Sequence, residues 1–232
     1  MTHFRQLFEA LSSSYTYLLA DAETRDAVVI DAVREQGATV LAWLDELNLA
    51  LSHLLETHVH ENRVTVAADL KARTGARVVL PEEVSAACAD VKVRHADKIV
   101  FGNEVIRVLG TPGHTPGCVS YLWRDRVFTG DALLIGGCGR TDFRGGDAGT
   151  LYNSITCRLF VLPGETLVYP AHDYRGRTVS TIAEERERNP RLAGKSRDEF
   201  ITLMSKLDLP RPAQVHSAVP ANRRHQDVRH AA

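Results

Sequence analysis

Leu51-Ser52-His53-Leu54-Leu55-Glu56-Thr57-His58-Val59-His60 carries an apolar run straight into an imidazole pair, and the rest of the chain can be placed around it. Leu51 to Thr57 predicts a strand running into His58. While the backbone stays extended, His58 and His60 project to the same side of it. Upstream, Val40, Leu41, Leu44 and Leu47 fall on one helical face, and Tyr15 to Leu19 with Ala27 to Ile30 predict an antiparallel hairpin that opens the fold. Downstream, helix formers over 64–74 stop at Gly75, and Arg77 to Leu80 form a strand closed by Pro81.

The second half repeats the pattern of strand followed by polar loop. Glu104 to Leu109, Cys118 to Trp123 and Arg126 to Phe128 predict strands. His114 lies in the loop after the first, and Asp131 follows the third. Leu151 to Leu162 predicts a helix, and Glu165 to Tyr169 a strand that enters Pro170-Ala171-His172-Asp173-Tyr174. Thr178 to Arg188 reads as a charged helix, and Ser196-Arg197-Asp198-Glu199 as a capping box opening a last helix through Leu207. Strands in groups, with helices between and after them, predict an α/β (α+β) chain folded as an αββα sandwich. The expected organisation is one domain over residues 1–210, with a polar, basic tail over 211–232.

Composition narrows the classes of function. The 232 residues are 44% hydrophobic and 25% charged, ordinary for a globular protein with a sizeable core. With 28 Lys and Arg against 29 Asp and Glu, there is no broad electrostatic case for nucleic acid or an anionic membrane. Cys88, Cys118, Cys138 and Cys157 stand singly with no CxxC spacing. They read as reduced thiols, and together with the absence of an apolar leader or spanning run they predict a cytoplasmic protein.

His58, His114 and Asp131 offer two imidazoles and a carboxylate at the ends of separate apolar runs, a donor set suited to one metal ion. Each has a plain alternative. A lone histidine is more often a surface or hydrogen-bonded residue, and Asp131 after Gly130 could be a turn residue. Thr111-Pro112-Gly113-His114-Thr115-Pro116-Gly117 weighs for a ligand, because its prolines and glycines fix a tight loop in which His114 alone has chemistry to offer. Glu61-Asn62-Arg63 stands where a second metal would want a carboxylate and a further histidine. An amide is a poor anionic ligand, and a guanidinium cannot give up its proton to become one.

Taken in order, His58-Val59-His60, Thr111 to Gly117 and Thr129-Gly130-Asp131 resemble the metallo-β-lactamase superfamily, from Tyr17 to about Leu192. Gly137-Cys138-Gly139-Arg140-Thr141-Asp142-Phe143, Tyr169 to Tyr174, Thr178 to Thr181 and Asn189-Pro190-Arg191-Leu192 are similar to the persulfide (sulfur) dioxygenases, relatives of the glyoxalase II hydrolases. The resemblance implies the metallo-β-lactamase-like αββα fold and one Fe(II) per chain held by His58, His114 and Asp131, which are also the catalytic residues. It implies glutathione persulfide and O2 as substrates, and a homodimer as the assembly. His60 and His172 then become residues beside the metal rather than on it. The hydrolase relatives carry HxHxDH where this chain has Asn62 and Arg63, so the resemblance implies that a second metal is missing.

On the substrate side, Arg140 is a candidate for a carboxylate, its plain alternative being an internal ion pair with Asp142. Tyr174 and Tyr152 are candidates to hydrogen-bond the same ligand or to pack. Cys138 reads as a buried structural thiol rather than a nucleophile. Two other readings stand beside the dioxygenase: a mononuclear-metal hydrolase of glutathione thioesters, and a non-enzymatic binding protein with a decayed site.

Overall fold

The computed structural model describes residues 2–58, 66–84, 89–143 and 145–208. The chain divides into two compact units, one of Met1–Val93 with Ile99–Val105, the other of Arg94–Lys98 with Ile106–Pro210. Each unit has a hydrophobic core cluster of its own. The predicted tail over 211–232 lies outside the described residues.

The first unit is built on a six-stranded sheet in the order β1-β2-β3-β4-β5-β6. Its strands are β1 (Thr2–Glu9), β2 (Ser14–Asp21), β3 (Asp26–Ile30), β4 (Ala50–Leu55), β5 (Arg77–Pro81) and β6 (Val91–Val93). The predicted hairpin is β2 and β3, paired antiparallel. β1 adds a strand ahead of them, antiparallel to β2. From β3 onward the pairing is parallel, through β4 and β5 to β6. Two helices serve the crossovers, α1 (Gly37–Glu46) and α2 (Ala67–Thr74).

Alternation along the strands explains the core of this unit. Leu18 and Ala20 of β2, Ala27 and Val29 of β3, Leu54 of β4 and Val78 and Leu80 of β5 face Val40 and Leu44 of α1 and Leu70 of α2. β4 lies between two parallel neighbours, so its course is fixed by main-chain bonds on both edges. That makes its C-terminal end a rigid place to mount a side chain.

The second sheet has the order β14-β13-β10-β9-β8-β7. Its strands are β7 (Lys98–Phe101), β8 (Glu104–Gly110), β9 (Val119–Trp123), β10 (Arg126–Gly130), β13 (Leu167–Pro170) and β14 (Ser180–Thr181), and a two-stranded ribbon pairs β11 (Leu133–Leu134) with β12 (Gly137–Cys138). Three helices follow, α3 (Ala148–Ser154), α4 (Ile182–Arg188) and α5 (Arg197–Ser205). Their residues Leu151, Ile182, Phe200 and Met204 close on Val127 of β10 and Val168 of β13. Each unit thus supplies a sheet with helices on one face, the pairing that an αββα fold requires.

Two local features depart from the sequence reading, and a third agrees with it. The helix predicted over 151–162 begins earlier, at Ala148 behind an Asp147 cap that accepts from Thr150 N–H, and relaxes into a wider π-helical turn over Ile155–Leu159. The helix predicted from Thr178 begins at Ile182, because Ser180 and Thr181 pair with β13 and Thr181 then caps the helix. The capping box of Ser196 and Glu199 forms as predicted, with both reciprocal bonds present.

Candidate metal centre

His58 follows β4 by three residues, and its approach is organised by Asp31, the residue after β3. Asp31 adopts φ 54 and donates its N–H to Leu55 O at 2.9 Å, which ties the ends of the two parallel strands together. Its buried carboxylate takes two bonds from Thr57, from the backbone N–H to Oδ1 and from the hydroxyl to Oδ2, both at 2.8 Å. Thr57 Oγ1 also lies 2.8 Å from His58 Nδ1. The single hydroxyl proton is committed to the carboxylate, so the oxygen must accept from Nδ1–H. Nε2 of His58 is therefore the ring nitrogen that can serve as a metal ligand.

His114 reaches the same state by a different route. Its loop joins β8 to β9 and is tied to α3: Asp147 N donates to Gly113 O at 2.8 Å, and Ser154 Oγ donates to Pro112 O at 2.7 Å. Gly113 adopts φ +132, and a Cβ there would come within 2.4 Å of the Leu151 backbone. Only glycine allows this approach. His114 Nδ1 lies 2.7 Å from the carbonyl oxygen of Arg140. A carbonyl can only accept, so Nδ1 carries a proton and Nε2 is the nitrogen that can serve as a ligand.

Asp131 follows β10 at a turn where Gly130 has φ +56. One carboxylate oxygen, Oδ1, accepts from His172 Nδ1 at 2.5 Å, while Oδ2 stands 3.6 Å from His114 Nε2. His172 is buried, and its ring stacks on Tyr174 with an interplanar angle of 3°. The hydrogen bond turns one oxygen of Asp131 away and presents the other beside that imidazole nitrogen.

Among the described residues, His58, His114 and Asp131 bring one ligand atom each to within 4.8 Å of one another, a group able to hold a metal ion. Two ligands bound to one ion at about 2.1 Å can be no more than about 4.2 Å apart, so a small side-chain adjustment closes the set. The donor chemistry fits: two neutral imidazoles presenting nitrogen and one carboxylate are the facial set of mononuclear non-haem iron sites, which leaves positions open for other ligands.

The other residues singled out from sequence fall into distinct places. His60, with Glu61, Asn62 and Arg63, lies outside the described residues. Arg140 makes the internal pair with Asp142, Nε to Oδ1 at 2.7 Å and Nη2 to Oδ2 at 2.6 Å, and its guanidinium lies 4.3 Å from the Phe143 ring centre. Tyr174 is 70% exposed and so presents its outer face to solvent. The Tyr152 hydroxyl donates to Lys195 O at 2.8 Å and its ring packs on Phe200, which spends its donor inside the fold. Cys138 is buried, and burial pushes its thiol up to about 11 despite the nearby Arg191, so it stays protonated at neutral pH.

Two contributors carried no clear signal in the sequence. Asp31 and Thr57 set the His58 tautomer; the only hint was a carboxylate placed where an apolar strand ends. Gly139 is the second. A Cβ on it would lie 2.2 Å from Asp131 O and 3.0 Å from His114 Cβ, so the backbone threads between two of the three candidate ligands.

The model of the Metallo-beta-lactamase superfamily matches residues 11–172. A protein named persulfide dioxygenase ETHE1, mitochondrial, from Homo sapiens is 46% identical over 222 residues, covering 95% of this chain and 87% of that one. The crystal structure of ETHE1 from Myxococcus xanthus is similar with a TM-score of 0.93 at 56% identity, covering 95% of this chain and 98% of that one. A hydroxyacylglutathione hydrolase from Bradyrhizobium sp. is 35% identical over 178 residues, which span 75% of this chain and 68% of that protein.

Proposed function

The chain belongs to the persulfide dioxygenases of the metallo-β-lactamase superfamily, and from that premise we propose that it oxidises glutathione persulfide with O2 and water to sulfite and glutathione at one iron(II) per chain. The observation that carries the iron is the donor set. His58 and His114 each have Nδ1 engaged, which leaves Nε2 as the ligand nitrogen, and Asp131 is turned by His172 to offer one oxygen. When bound, the iron would supply neighbouring open positions at which a persulfide sulfur and O2 meet.

The chain's own residues do the positioning. The carboxylate of Asp31, through the Thr57 hydroxyl, and the carbonyl of Arg140 hold Nδ1–H of the two imidazoles and so aim both rings with Nε2 toward the metal position. His172 keeps Asp131 from swinging its second oxygen inward, which limits the protein's share of the coordination shell. On the substrate side we assign Arg140 and the exposed Tyr174 to glutathione. Arg140 is held by Asp142 and by the Phe143 ring, and a guanidinium is the side-chain group whose planar fork matches a carboxylate. The balance is one persulfide, one O2 and one water in, and glutathione, sulfite and two protons out.

Within the relatives, the names ETHE1 and hydroxyacylglutathione hydrolase point to different reactions, and the greater identity over more of the chain favours the dioxygenase. Asn62 and Arg63 favour it as well, since they deny a second metal two ligands. No helix among the described residues is long and apolar enough to cross a membrane. We retain the cytoplasm as the proposed location, although the mammalian relatives are named mitochondrial.

The test is elemental analysis of the purified protein together with O2 uptake on freshly prepared glutathione persulfide. Iron near one per chain and uptake matched by sulfite are expected. Zinc, no uptake and hydrolysis of an acyl-glutathione would overturn the proposal in favour of the hydrolase.

A further inference from the structure

The ribbon of β11 and β12 pairs only Leu133 with Cys138 and Leu134 with Gly137, too little to hold itself in place. Side chains from outside hold it instead. The guanidinium of Arg177, paired with buried Asp173, donates to Ile135 O. Glu185 Oε2 accepts from Gly136 N–H at 2.9 Å, and Asn189 Nδ2 donates to Gly137 O at 2.9 Å. Arg191 Nη1 donates to Cys138 O at 2.6 Å. Four consecutive residues, 135–138, are therefore gripped by a backbone polar group each.

Asn189 is the centre of that grip. It is 1% exposed, and its Nδ2 donates to Glu185 Oε2 at 2.8 Å as well as to Gly137 O, while its Oδ1 accepts from Arg191 N–H at 3.0 Å. Its amide uses both donor hydrogens and its oxygen to tie α4, the following turn and β12 together. The chain then has one residue, Gly139, to pass between Asp131 and His114 before the Arg140 carbonyl receives His114 Nδ1–H. Close packing at Gly139 leaves little slack, so a shift of β12 is passed on to that carbonyl.

We propose that Asn189, acting with Glu185 and Arg191, is a positioning residue for the metal centre: it fixes the Arg140 carbonyl and thereby selects which ring nitrogen of His114 can serve as a ligand. Asn189 touches neither metal nor substrate in this role. The inference uses His114 as a ligand, as the proposed function does, but not the identity of the metal or the reaction.

The experiment is long-range 1H–15N NMR of the histidine rings in metal-free protein, with iron(II) and zinc(II) affinities measured by chelator competition. Wild type is expected to show His114 protonated at Nδ1. Asn189→Leu is expected to give a mixture of tautomers and to weaken both metals by about tenfold, the low end for residues supporting a ligand. Should Asn189→Leu fail to fold, Arg191→Met removes the bonds of that guanidinium to Cys138 O and Sγ while keeping the backbone N–H whose bond Asn189 accepts, and is expected to act in the same direction. Phe200→Leu, a change in the same core away from this chain of bonds, separates positioning from general loosening and is expected to lower thermal stability with His114 unchanged. An Asn189→Leu or Arg191→Met protein that keeps the wild-type tautomer and affinities overturns the inference. So does a Phe200→Leu protein that disturbs His114 equally. Because the tautomer is read without metal, absence of dioxygenase activity would sink the proposed function and leave this inference standing.

Discussion

Replacing Thr57 by Val keeps the shape of a buried, β-branched side chain and removes one oxygen. That oxygen makes two bonds, donating to Asp31 Oδ2 and accepting from His58 Nδ1, each at 2.8 Å. Thr57, Asp31 and His58 are 0%, 1% and 3% exposed, so water has no ready access to replace it. Loss of a bond to a carboxylate costs about 1.5–3 kcal/mol and of a neutral one about 0.5–1.5 kcal/mol, so roughly 2–4 kcal/mol of stability should go. The stranded Nδ1–H of His58 is relieved if the proton moves to Nε2, which spends the lone pair meant for the metal. Metal affinity should fall 10–100-fold, which is about 1.4–2.7 kcal/mol. Thr57→Ser, which keeps the hydroxyl, should recover most of that affinity. Chelator competition for iron(II), with urea unfolding of the metal-free proteins, measures both effects. A Thr57→Val protein that binds metal like wild type would refute the reasoning that this hydroxyl sets the ring.

Three further outcomes are expected. Asp131→Ala should abolish iron binding in elemental analysis, and retention of a full equivalent would remove Asp131 from the ligand set. Gly139→Ala places a Cβ 2.2 Å from Asp131 O; overpacking of this kind costs about 1–3 kcal/mol, and both thermal stability and metal content should drop, whereas Gly176→Ala, where φ +73 strains the backbone but a Cβ meets nothing within 4 Å, should lower stability and leave metal content unchanged. For Cys138, burial raises the thiol from an ordinary 9.0 to about 11, so the folded state holds a proton that the unfolded chain releases first. Its contribution is full below pH 9 and declines as pH rises from 9 to about 11. Urea unfolding of wild type and Cys138→Ala should therefore diverge across that window and run parallel below it, and a constant difference through pH 11 would contradict the burial argument.

His58, His114 and Asp131 were legible because each is a chemically distinctive side chain at the end of an apolar run, and periodicity locates such ends. β1 was not, because Thr2–Glu9 is half-exposed along almost its whole length and mixes Arg5 and Gln6 with Phe4 and Leu7, a pattern weaker than the buried strand it flanks. Asn189-Pro190-Arg191-Leu192 was visible as a motif without a role, since its bonds go to backbone atoms of β12. The same limit hid the Arg140 carbonyl. Main-chain groups are identical at every position, so only the fold shows which of them is used.

Arg140 joins two duties in separable parts: its carbonyl orients His114, while its guanidinium rests on Asp142 and Phe143. Exchange of its side chain leaves the carbonyl where it is. Insertion of a single residue between Asp131 and Arg140 keeps every side chain yet moves that carbonyl off the ring. Over divergence, the carbonyl's duty should therefore resist any change of length in this stretch, while the identity of residue 140 answers only to the duty of the guanidinium toward substrate.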